Sequence, residues 1–261
     1  MGMSGQVQLA IERGLARLTL DSPDKLNAIS VAMWDELGRH CAAIAEDNSV
    51  RCVLLQGAQG QFAAGADIAE FPQVRFDESS GRGYHLALMA PALHALRTLP
   101  MPVVAAIEGS CIGGGLEIAL ACDLRVARSD ARFGAPVGRL GFPFALPELK
   151  VLLDLVGPAV AADLLLAGRL LDGDEAERKG LVQRAVAPAQ FALAVEETVA
   201  GVLAGSPLAA RLNKANILRL MEGGPISAKE LDASFGFFGS ADYAEGVAAF
   251  LQRRPPQFTG R

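Results

Sequence analysis

Three consecutive glycines between a strand-like run and an apolar segment constrain this chain more than any other feature. Residues 102–107 are apolar, Gly113, Gly114 and Gly115 follow after a short interval, and residues 116–121 have helical composition. A strand that enters a glycine turn opening a helix leaves backbone N–H groups at the helix N-terminus, where they attract negative charge. Glu117 falls in the first turn of this predicted helix. The sequence therefore predicts an oxyanion-binding site beside a carboxylate.

The composition fits a soluble protein with a mainly aliphatic core. The chain has 261 residues, of which 51% are hydrophobic and 6% aromatic, which suits one large or two small globular domains. A formal net charge of −5 argues against a nucleic-acid backbone as a partner. No apolar run approaches the ~20 residues needed to cross a bilayer, and the N-terminal residues lack a signal-peptide pattern. We therefore expect a cytoplasmic protein with no nucleic-acid or membrane partner.

The cysteines predict packing and not metal binding. They lie in apolar surroundings, no pair has the Cys-x-x-Cys spacing, and the histidines are not spaced as a metal-binding set. We expect all four cysteines to be reduced and buried. They are Cys41, Cys52, Cys111 and Cys122.

Short strands and helices alternate in the first part of the chain. Residues 7–11 and 15–20 alternate around a turn and predict a β-hairpin, and Ser30 is a candidate N-cap for the helix that follows. Residues 71–83 have weak periodicity and are the best candidate for a mobile lid. Residues 133–137 are predicted to form a loop leaving a strand.

Helical patterns dominate the last part of the chain. The helix after residue 146 is predicted to break at Gly157, while Asp172 and Ser206 are candidate N-caps. We expect a sheet-containing core over residues 1–200 and a helical region over residues 201–261. This helical region contains four phenylalanines that either pack on the core or form an oligomer interface. They are Phe235, Phe237, Phe238 and Phe250.

Four short motifs occur in an order that resembles the crotonase, or enoyl-CoA hydratase/isomerase, superfamily. They span residues 62–68, 113–123, 131–136 and 180–182. The similarity extends over essentially the whole chain. The resemblance implies an α/β fold built as a spiral of ββα repeats, with a C-terminal helical trimerisation domain. It also implies acyl-CoA thioester ligands, a homotrimer or dimer of trimers, and no metal or redox cofactor, because coenzyme A is part of the substrate.

The resemblance also assigns the residues of the oxyanion site. In the family, two backbone N–H groups hold the thioester oxygen, and the matching residues here are Ala66 and Gly114. This fits the chemistry, because negative charge develops on that oxygen when a proton is removed beside a thioester or a nucleophile adds to its conjugated double bond. Glu117 matches one of the two catalytic glutamates of typical hydratases.

Positions that match the family's acyl-CoA contacts lie in several loops. Lys25 is a candidate phosphate partner, with a solvated loop lysine as the alternative interpretation. The full set expected to bind coenzyme A or the acyl group is Lys25, Leu26, Ala28, Ala64, Asp67, Ile68, Gly113, Val137 and Phe142.

One departure from the family pattern affects the predicted reaction. The second glutamate of typical hydratases follows the proline of a Phe-Gly-x-Pro-Glu sequence, and this chain has Val137 there. Valine cannot transfer a proton. The following loop carries Phe142 and Phe144 where the family commonly has glycines, which predicts a bulkier and drier wall.

A single carboxylate leaves several reactions open. Hydration of a trans-2-enoyl-CoA is favoured, because one group can take a proton from water and hand it to carbon; double-bond isomerisation and decarboxylation are the alternatives. Glu148, or the lid acids Asp77 and Glu78, could replace the missing acid, but an exposed Glu148 stabilised by a helix dipole is the favoured interpretation. Glu117 itself could merely cap its helix; as a catalyst in apolar surroundings it should have a raised pKa. A non-catalytic acyl-CoA-binding protein is the alternative outside enzymes.

Three other classes of site fit the sequence poorly. No Gly-Lys-Ser/Thr sequence follows the triple glycine, which argues against a P-loop. The Gly-x-Gly-x-x-Gly spacing of dinucleotide-binding sites fails because Ile118 occupies the last position. The Gly-x-Ser-x-Gly sequence of many serine hydrolases is also lacking.

Overall fold

The computed structural model describes residues 5–261, which form a mixed α/β fold with two sheets and a helical C-terminal part. In the larger sheet the strand order is β1-β2-β3-β4-β6-β9, and only the β1–β2 pair is antiparallel. A smaller sheet has the order β5-β7-β8. The strands are β1 (Gln6–Glu12), β2 (Leu15–Asp21), β3 (Cys52–Gly57), β4 (Val103–Ile107), β5 (Ser110–Ile112), β6 (Leu124–Arg128), β7 (Arg132–Gly134), β8 (Leu171–Asp172) and β9 (Arg184–Val186).

Helices cover both faces of the larger sheet and form the C-terminal layer. They are α1 (Val31–Glu46), α2 (Phe71–Val74), α3 (Glu78–Gly83), α4 (Ala90–Arg97), α5 (Gly114–Ala121), α6 (Leu146–Leu165), α7 (Gly173–Arg178), α8 (Phe191–Ala204), α9 (Pro207–Glu222), α10 (Ala228–Ser234) and α11 (Ala241–Leu251). A π-helical turn, Tyr84–Met89, joins α3 to α4.

The inner strands β3 and β4 are buried on both faces of the larger sheet over most of their length, which explains why they are continuous apolar runs, whereas β1 and β2 alternate. In β3, Cys52 and Leu54 face α8, whereas Val53 and Leu55 face the main core. That core is closed by α1 and α5, and Trp34 on α1 is fully buried within it.

The predicted β-hairpin, helix N-caps and helix break are confirmed. The hairpin pairs β1 with β2, and Ser30, Asp172 and Ser206 each accept a hydrogen bond from a first-turn N–H of the helix they precede. The backbone of α6 breaks at Gly157, which has φ 72°. All four cysteines are free and buried, as predicted.

Two segments differ from the sequence-based expectations. The predicted loop over residues 133–137 begins inside a strand, because β7 pairs with β5 and β8 in the smaller sheet. The predicted lid, residues 71–83, contains α2 and α3, and Asp77 forms a capping box at the start of α3. Pairing and capping stabilise these short elements where periodicity is weak.

The C-terminal helices contact the core through a buried ion pair. Lys214 of α9 is 6% exposed, and its Nζ lies 2.7 Å from Asp123 Oδ2 and 3.1 Å from the Met101 carbonyl oxygen. Several large apolar side chains of this layer, including Phe250, are exposed. Within residues 5–261, no single helix meets the length and hydropathy expected of a membrane span, and the one helix pair that does so together is bent by 103°.

Candidate active site

The triple glycine forms a tight junction between β5 and α5. Gly113 has φ 49° and ψ −116°, a conformation that strongly favours glycine, and its N–H donates to the Gly134 carbonyl oxygen at 2.9 Å. A Cβ atom at Gly115 would lie 2.5 Å from the Ala63 carbonyl oxygen. The third glycine therefore lets α5 pack directly against the 62–68 loop.

The 62–68 loop is held by a second set of backbone contacts. The Ile29 N–H donates to the Gly65 carbonyl oxygen at 2.7 Å, and the Asp67 N–H donates to the Ile29 carbonyl oxygen at 2.9 Å. These bonds use the Gly65 carbonyl and the Asp67 N–H, on either side of Ala66, and not the N–H of Ala66 itself. The loop is thus fixed while one amide is kept available.

Two unpaired amides meet between this loop and α5. Within residues 5–261, neither the Ala66 N–H nor the Gly114 N–H has a hydrogen-bond acceptor. A Cβ atom at Gly114 would lie 3.4 Å from the Ala66 nitrogen and 3.3 Å from Trp34 Cζ2, so the two amides are close neighbours. Two fixed N–H donors with no acceptor of their own can bind an oxygen that carries negative charge.

These amides open into a cavity of about 290 Å³, which we call the Gly114 cavity. It lies between the 62–68 loop, α2, the π-helical turn, the start of α5 and residues 136–142. Eight of the predicted site residues line it: Ala64, Ala66, Ile68, Gly113, Gly114, Glu117, Val137 and Phe142. Val137 lines the same space as Glu117, and its side chain is apolar where a carboxylate would be needed for a second proton transfer.

Glu117 is buried in the first turn of α5, with 8% of its surface exposed. Burial, and after it the negative charge of Glu148, raise the pKa of its carboxyl to about 8, against the opposing effect of the positive charge of Arg75. A carboxyl that titrates near neutral pH can both accept and donate a proton.

Glu148, near the start of α6, lies on the other side of Glu117. The two side chains line a second cavity of about 290 Å³, here the Glu148 cavity, with apolar residues such as Leu93 and Leu120. The expectation that Glu148 is exposed is wrong, because it is 6% exposed, its Oε2 atom has no hydrogen-bond partner and burial raises its pKa. Packing of α6 against α5 overrides the surface position that a helix start alone would give.

Arg75 is a site residue that the sequence did not single out. Its guanidinium carbon lies 4.4 Å from the Phe71 ring centroid and 4.2 Å from that of Phe142, at the wall of the Gly114 cavity. The two rings meet edge to face, with an interplanar angle of 67°. The sequence shows only a basic residue in the segment before α3, and no neighbouring residue indicates that its side chain faces inward.

Tyr84 and His85 of the π-helical turn also line the Gly114 cavity. Tyr84 accepts a hydrogen bond from Trp34 Nε1 at 3.1 Å, and burial raises its pKa to about 12. His85 Nδ1 is buried without a hydrogen-bond partner in the described part of the chain, and burial lowers the pKa of the ring. π-Helical turns are frequent at functional sites.

The remaining predicted acyl-CoA residues lie beside the cavity and not in its wall. Lys25 forms an ion pair with Asp67, while Leu26 accepts a hydrogen bond from the Ala64 N–H at 3.0 Å. Ala28 is part of the same loop, two residues before the N-cap of α1. The two loops expected to contact coenzyme A are therefore adjacent to each other, and one of them carries Ala66.

The lid acids do not reach the cavity. Asp77 accepts the Ser80 N–H at 2.8 Å as the cap of α3, and both Asp77 and Glu78 are exposed. Neither lines the Gly114 cavity or the Glu148 cavity. The hypothesis that a lid acid replaces the missing glutamate therefore has no support in this arrangement.

Comparison with known proteins identifies the family. Residues 10–261 match the family described as "Enoyl-CoA hydratase/isomerase". The chain is 34% identical over 248 residues to a probable enoyl-CoA hydratase of Mycobacterium bovis, covering 94% of each protein. It is 33% identical over 253 residues to the crotonyl-CoA hydratase of Syntrophomonas wolfei, covering 96% of each.

A solved structure gives the same result at the level of the fold. The crystal structure of an enoyl-CoA hydratase/carnithine racemase from Magnetospirillum magneticum has a TM-score of 0.95 and 42% identity, covering 98% of this chain and 96% of that one. The chain is therefore an enzyme of the enoyl-CoA hydratase/isomerase, or crotonase, family.

Proposed function

We propose that this enzyme hydrates trans-2-enoyl-CoA thioesters through an enolate held by the Ala66 and Gly114 amides. The observation that carries the proposal is the pair of unpaired N–H groups opening into the same cavity as buried Glu117. The hydratase names of relatives at 33% and 34% identity support the same activity.

In this mechanism Glu117 transfers the protons, because among residues 5–261 no other carboxylate lines the Gly114 cavity. The ionised Glu117 takes a proton from water as the water oxygen bonds to the β-carbon. The double-bond electrons move to the thioester oxygen, where the two amides stabilise the charge. Glu117 then gives the proton to the α-carbon, and the thioester carbonyl re-forms. Both new bonds arise on the Glu117 side, so addition is syn.

Removing one oxyanion-hole donor typically costs about 2.7–4 kcal/mol of barrier, so the pair accounts for a large part of the proposed catalysis. Val137 supplies no acid on the opposite wall. This is why we assign both proton transfers to one group.

Isomerisation is the second candidate reaction, and the pair of amides beside buried Glu117 also suits it. A single base can remove a proton from one carbon of the acyl group and return it to a carbon two positions along the acyl chain. The Ala66 and Gly114 amides would hold the enolate between these two steps. Val137 in place of the second glutamate removes the group that would otherwise activate water separately. Decarboxylation of a malonyl-type thioester is a third possibility that relies mainly on the oxyanion hole.

Binding of coenzyme A is proposed along the two loops that carry Lys25 and Asp67. For Lys25 to contact a phosphate, its ammonium would exchange or share its present partner, Asp67. Coenzyme A enters as part of the substrate, and no separate cofactor is proposed.

A panel of acyl-CoA thioesters followed by mass spectrometry tests the proposal. Hydration adds the mass of one water molecule, isomerisation leaves the mass unchanged, and decarboxylation removes the mass of carbon dioxide. The expected result is the water adduct from crotonyl-CoA. Binding of crotonyl-CoA and longer enoyl-CoA thioesters without any product would overturn the enzymatic proposal in favour of a non-catalytic acyl-CoA-binding protein.

A further inference from the structure

An unpaired guanidinium lies at the wall of the Gly114 cavity. The Arg75 side chain makes no salt bridge or side-chain hydrogen bond to any residue between 5 and 261, although most arginines near a protein interior have such partners. It is partly buried and rests against the rings of Phe71 and Phe142. These rings fix its position but offer no acceptor for its N–H groups.

The charges around this cavity favour an anion. Arg75 and Arg139 both line it, whereas Glu117 is the one acid that the described part of the chain places in its wall. With a pKa of about 8, Glu117 is mostly neutral at pH 7, so the cavity wall carries net positive charge. His85 adds a ring nitrogen, Nδ1, that is buried without a partner among the described residues.

The position of Arg75 indicates which part of a substrate it would meet. Its charge acts on Glu117, which the proposed mechanism places beside the reacting carbons. The coenzyme A loops, by contrast, carry their own cation, Lys25, outside the cavity. Arg75 is therefore suited to the acyl end of the thioester and not to the coenzyme A phosphates.

We propose that Arg75 is a specificity-determining residue that binds a carboxylate carried by the acyl group, so that the preferred substrates are acyl-CoA thioesters of dicarboxylic acids. This inference rests on the proposed acyl-CoA function and names its substrate class. A guanidinium presents parallel N–H donors that match a carboxylate, and the aromatic wall removes competing water. Uncharged acyl groups would leave the cation without a partner.

Equilibrium binding of two saturated thioesters tests the proposal without turnover. Glutaryl-CoA and pentanoyl-CoA have the same chain length and differ only in a terminal carboxylate or methyl group. Charge-assisted pairs contribute about 1.5–3 kcal/mol, so glutaryl-CoA should bind roughly 10- to 100-fold more tightly than pentanoyl-CoA. Arg75→Gln should abolish this difference by weakening glutaryl-CoA binding, and Arg75→Lys should restore part of it.

Arg82→Gln is the matched control, because Arg82 is an exposed arginine on α3 that lines neither described cavity. It should retain the full preference, and thermal unfolding should show that all variants are folded. The proposal is overturned if the wild-type protein binds both thioesters equally or if the Arg75→Gln variant keeps the preference. It is also overturned if Arg75→Gln lowers the affinity for both thioesters by the same factor.

The proposed reaction is tested separately, by incubating the wild-type protein with crotonyl-CoA and glutaconyl-CoA, which is crotonyl-CoA with a terminal carboxylate. Preferential hydration of glutaconyl-CoA supports both proposals. Tight, Arg75-dependent glutaryl-CoA binding without hydration of either enoyl-CoA overturns the hydratase proposal and supports the carboxylate subsite.

Discussion

Glu117 of α5 and Glu148 of α6 face one small cavity, and the negative charge of Glu148 raises the pKa of Glu117. Each is less than a tenth exposed, and burial is the largest cause of the raised pKa of both. Two buried carboxyls near each other disfavour a doubly ionised state. The charge state of Glu148 therefore influences how readily Glu117 accepts a proton.

The first prediction concerns the pH dependence of wild-type activity and of Glu148→Gln. The proposed mechanism starts from ionised Glu117, so kcat/KM should rise with pH through an inflection near the Glu117 pKa of about 8. Replacing Glu148 with a neutral amide removes the repulsion, which lowers the Glu117 pKa and moves the inflection to lower pH. Activity at pH 7 should consequently increase.

Glu222→Gln is the control for this pH profile. Glu222 lines the edge of the same cavity but is exposed, and its charge does not contribute to the Glu117 shift. Its profile should match the wild type. An inflection that stays in place, or moves upward, in Glu148→Gln would contradict the coupling.

Substituting Glu117 itself separates catalysis from binding. Glu117→Gln keeps the shape of the side chain but cannot take a proton from water, so kcat should fall by roughly 10²- to 10⁴-fold. Because the oxyanion amides remain, acyl-CoA affinity should change little. Steady-state kinetics with calorimetric titration of an unreactive acyl-CoA measure the two effects, and unchanged kcat would exclude Glu117 as the proton-transfer group.

The same substitution should stabilise the fold at neutral and alkaline pH. The ordinary glutamate pKa of 4.5 is raised to about 8 in the folded protein, so the unfolded state loses this proton first as the pH rises. Folding is therefore penalised increasingly between these pH values and by a constant amount above the higher one. Glu117→Gln should raise Tm at pH 8 but not at pH 4. An equal change in Tm at both pH values would contradict this linkage.

Gly114→Ala tests the oxyanion hole. The added Cβ atom would lie 3.3 Å from Trp34 Cζ2 and 3.4 Å from the Ala66 nitrogen, where it crowds the space for the thioester oxygen. The backbone of the variant would keep its N–H at this position, but a thioester oxygen displaced by the Cβ atom would lose much of its contact with the two amides, so kcat/KM should decrease by about 10²- to 10³-fold, as for loss of one donor. Gly201→Ala in α8 is the control, because its Cβ atom would meet nothing within 4 Å. Full activity of Gly114→Ala would argue against an oxyanion at this position.

The sequence predicted the parts of the site that depend on local conformation. Gly113 adopts a backbone geometry that glycine favours, Ser30 caps α1, and the apolar runs of the larger sheet are strands. In each case the residue type and its near neighbours determine the structure. The resemblance to the crotonase family then predicted that Ala66 and Gly114 would lie together, although they are far apart in sequence.

The residues that the sequence did not reveal are those whose surroundings come from distant segments. Arg75 faces inward only because Phe71 and Phe142, from separate segments, pack beside it. Glu148 is buried only because α6 packs on α5. Strand β8 has only two residues, so its pairing with β7 defines it and no sequence periodicity could. Local patterns carry no information on such contacts.

The ion pair between Lys214 and Asp123 predicts a large effect on stability. Asp123 also accepts the Val103 N–H at 2.7 Å, so Lys214→Ala leaves a partly buried carboxylate with one partner fewer and opens space beneath α9. We expect a loss of about 3 kcal/mol, toward the lower end for buried pairs because Asp123 is partly exposed.

Arg39→Ala is the comparison for this stability measurement. It removes an exposed pair with Asp35 and should cost only about 0.3–0.5 kcal/mol in urea unfolding. Equal effects of the two substitutions would show that the Lys214 contact adds nothing beyond a surface pair.

The exposed aromatic side chains of the C-terminal helices predict self-association. Phe250 is 83% exposed, Leu251 is 75% exposed and Phe235 is 57% exposed, and such apolar surface commonly marks an interface. We expect the wild-type protein to sediment as a trimer or a dimer of trimers of its 27.3 kDa chain. Phe250→Glu should shift it toward the monomer, because burying an unpaired charge opposes association. Leu193→Glu, an equally apolar exposed position on α8, should leave the sedimentation unchanged, and a monomeric wild-type protein would refute this assembly.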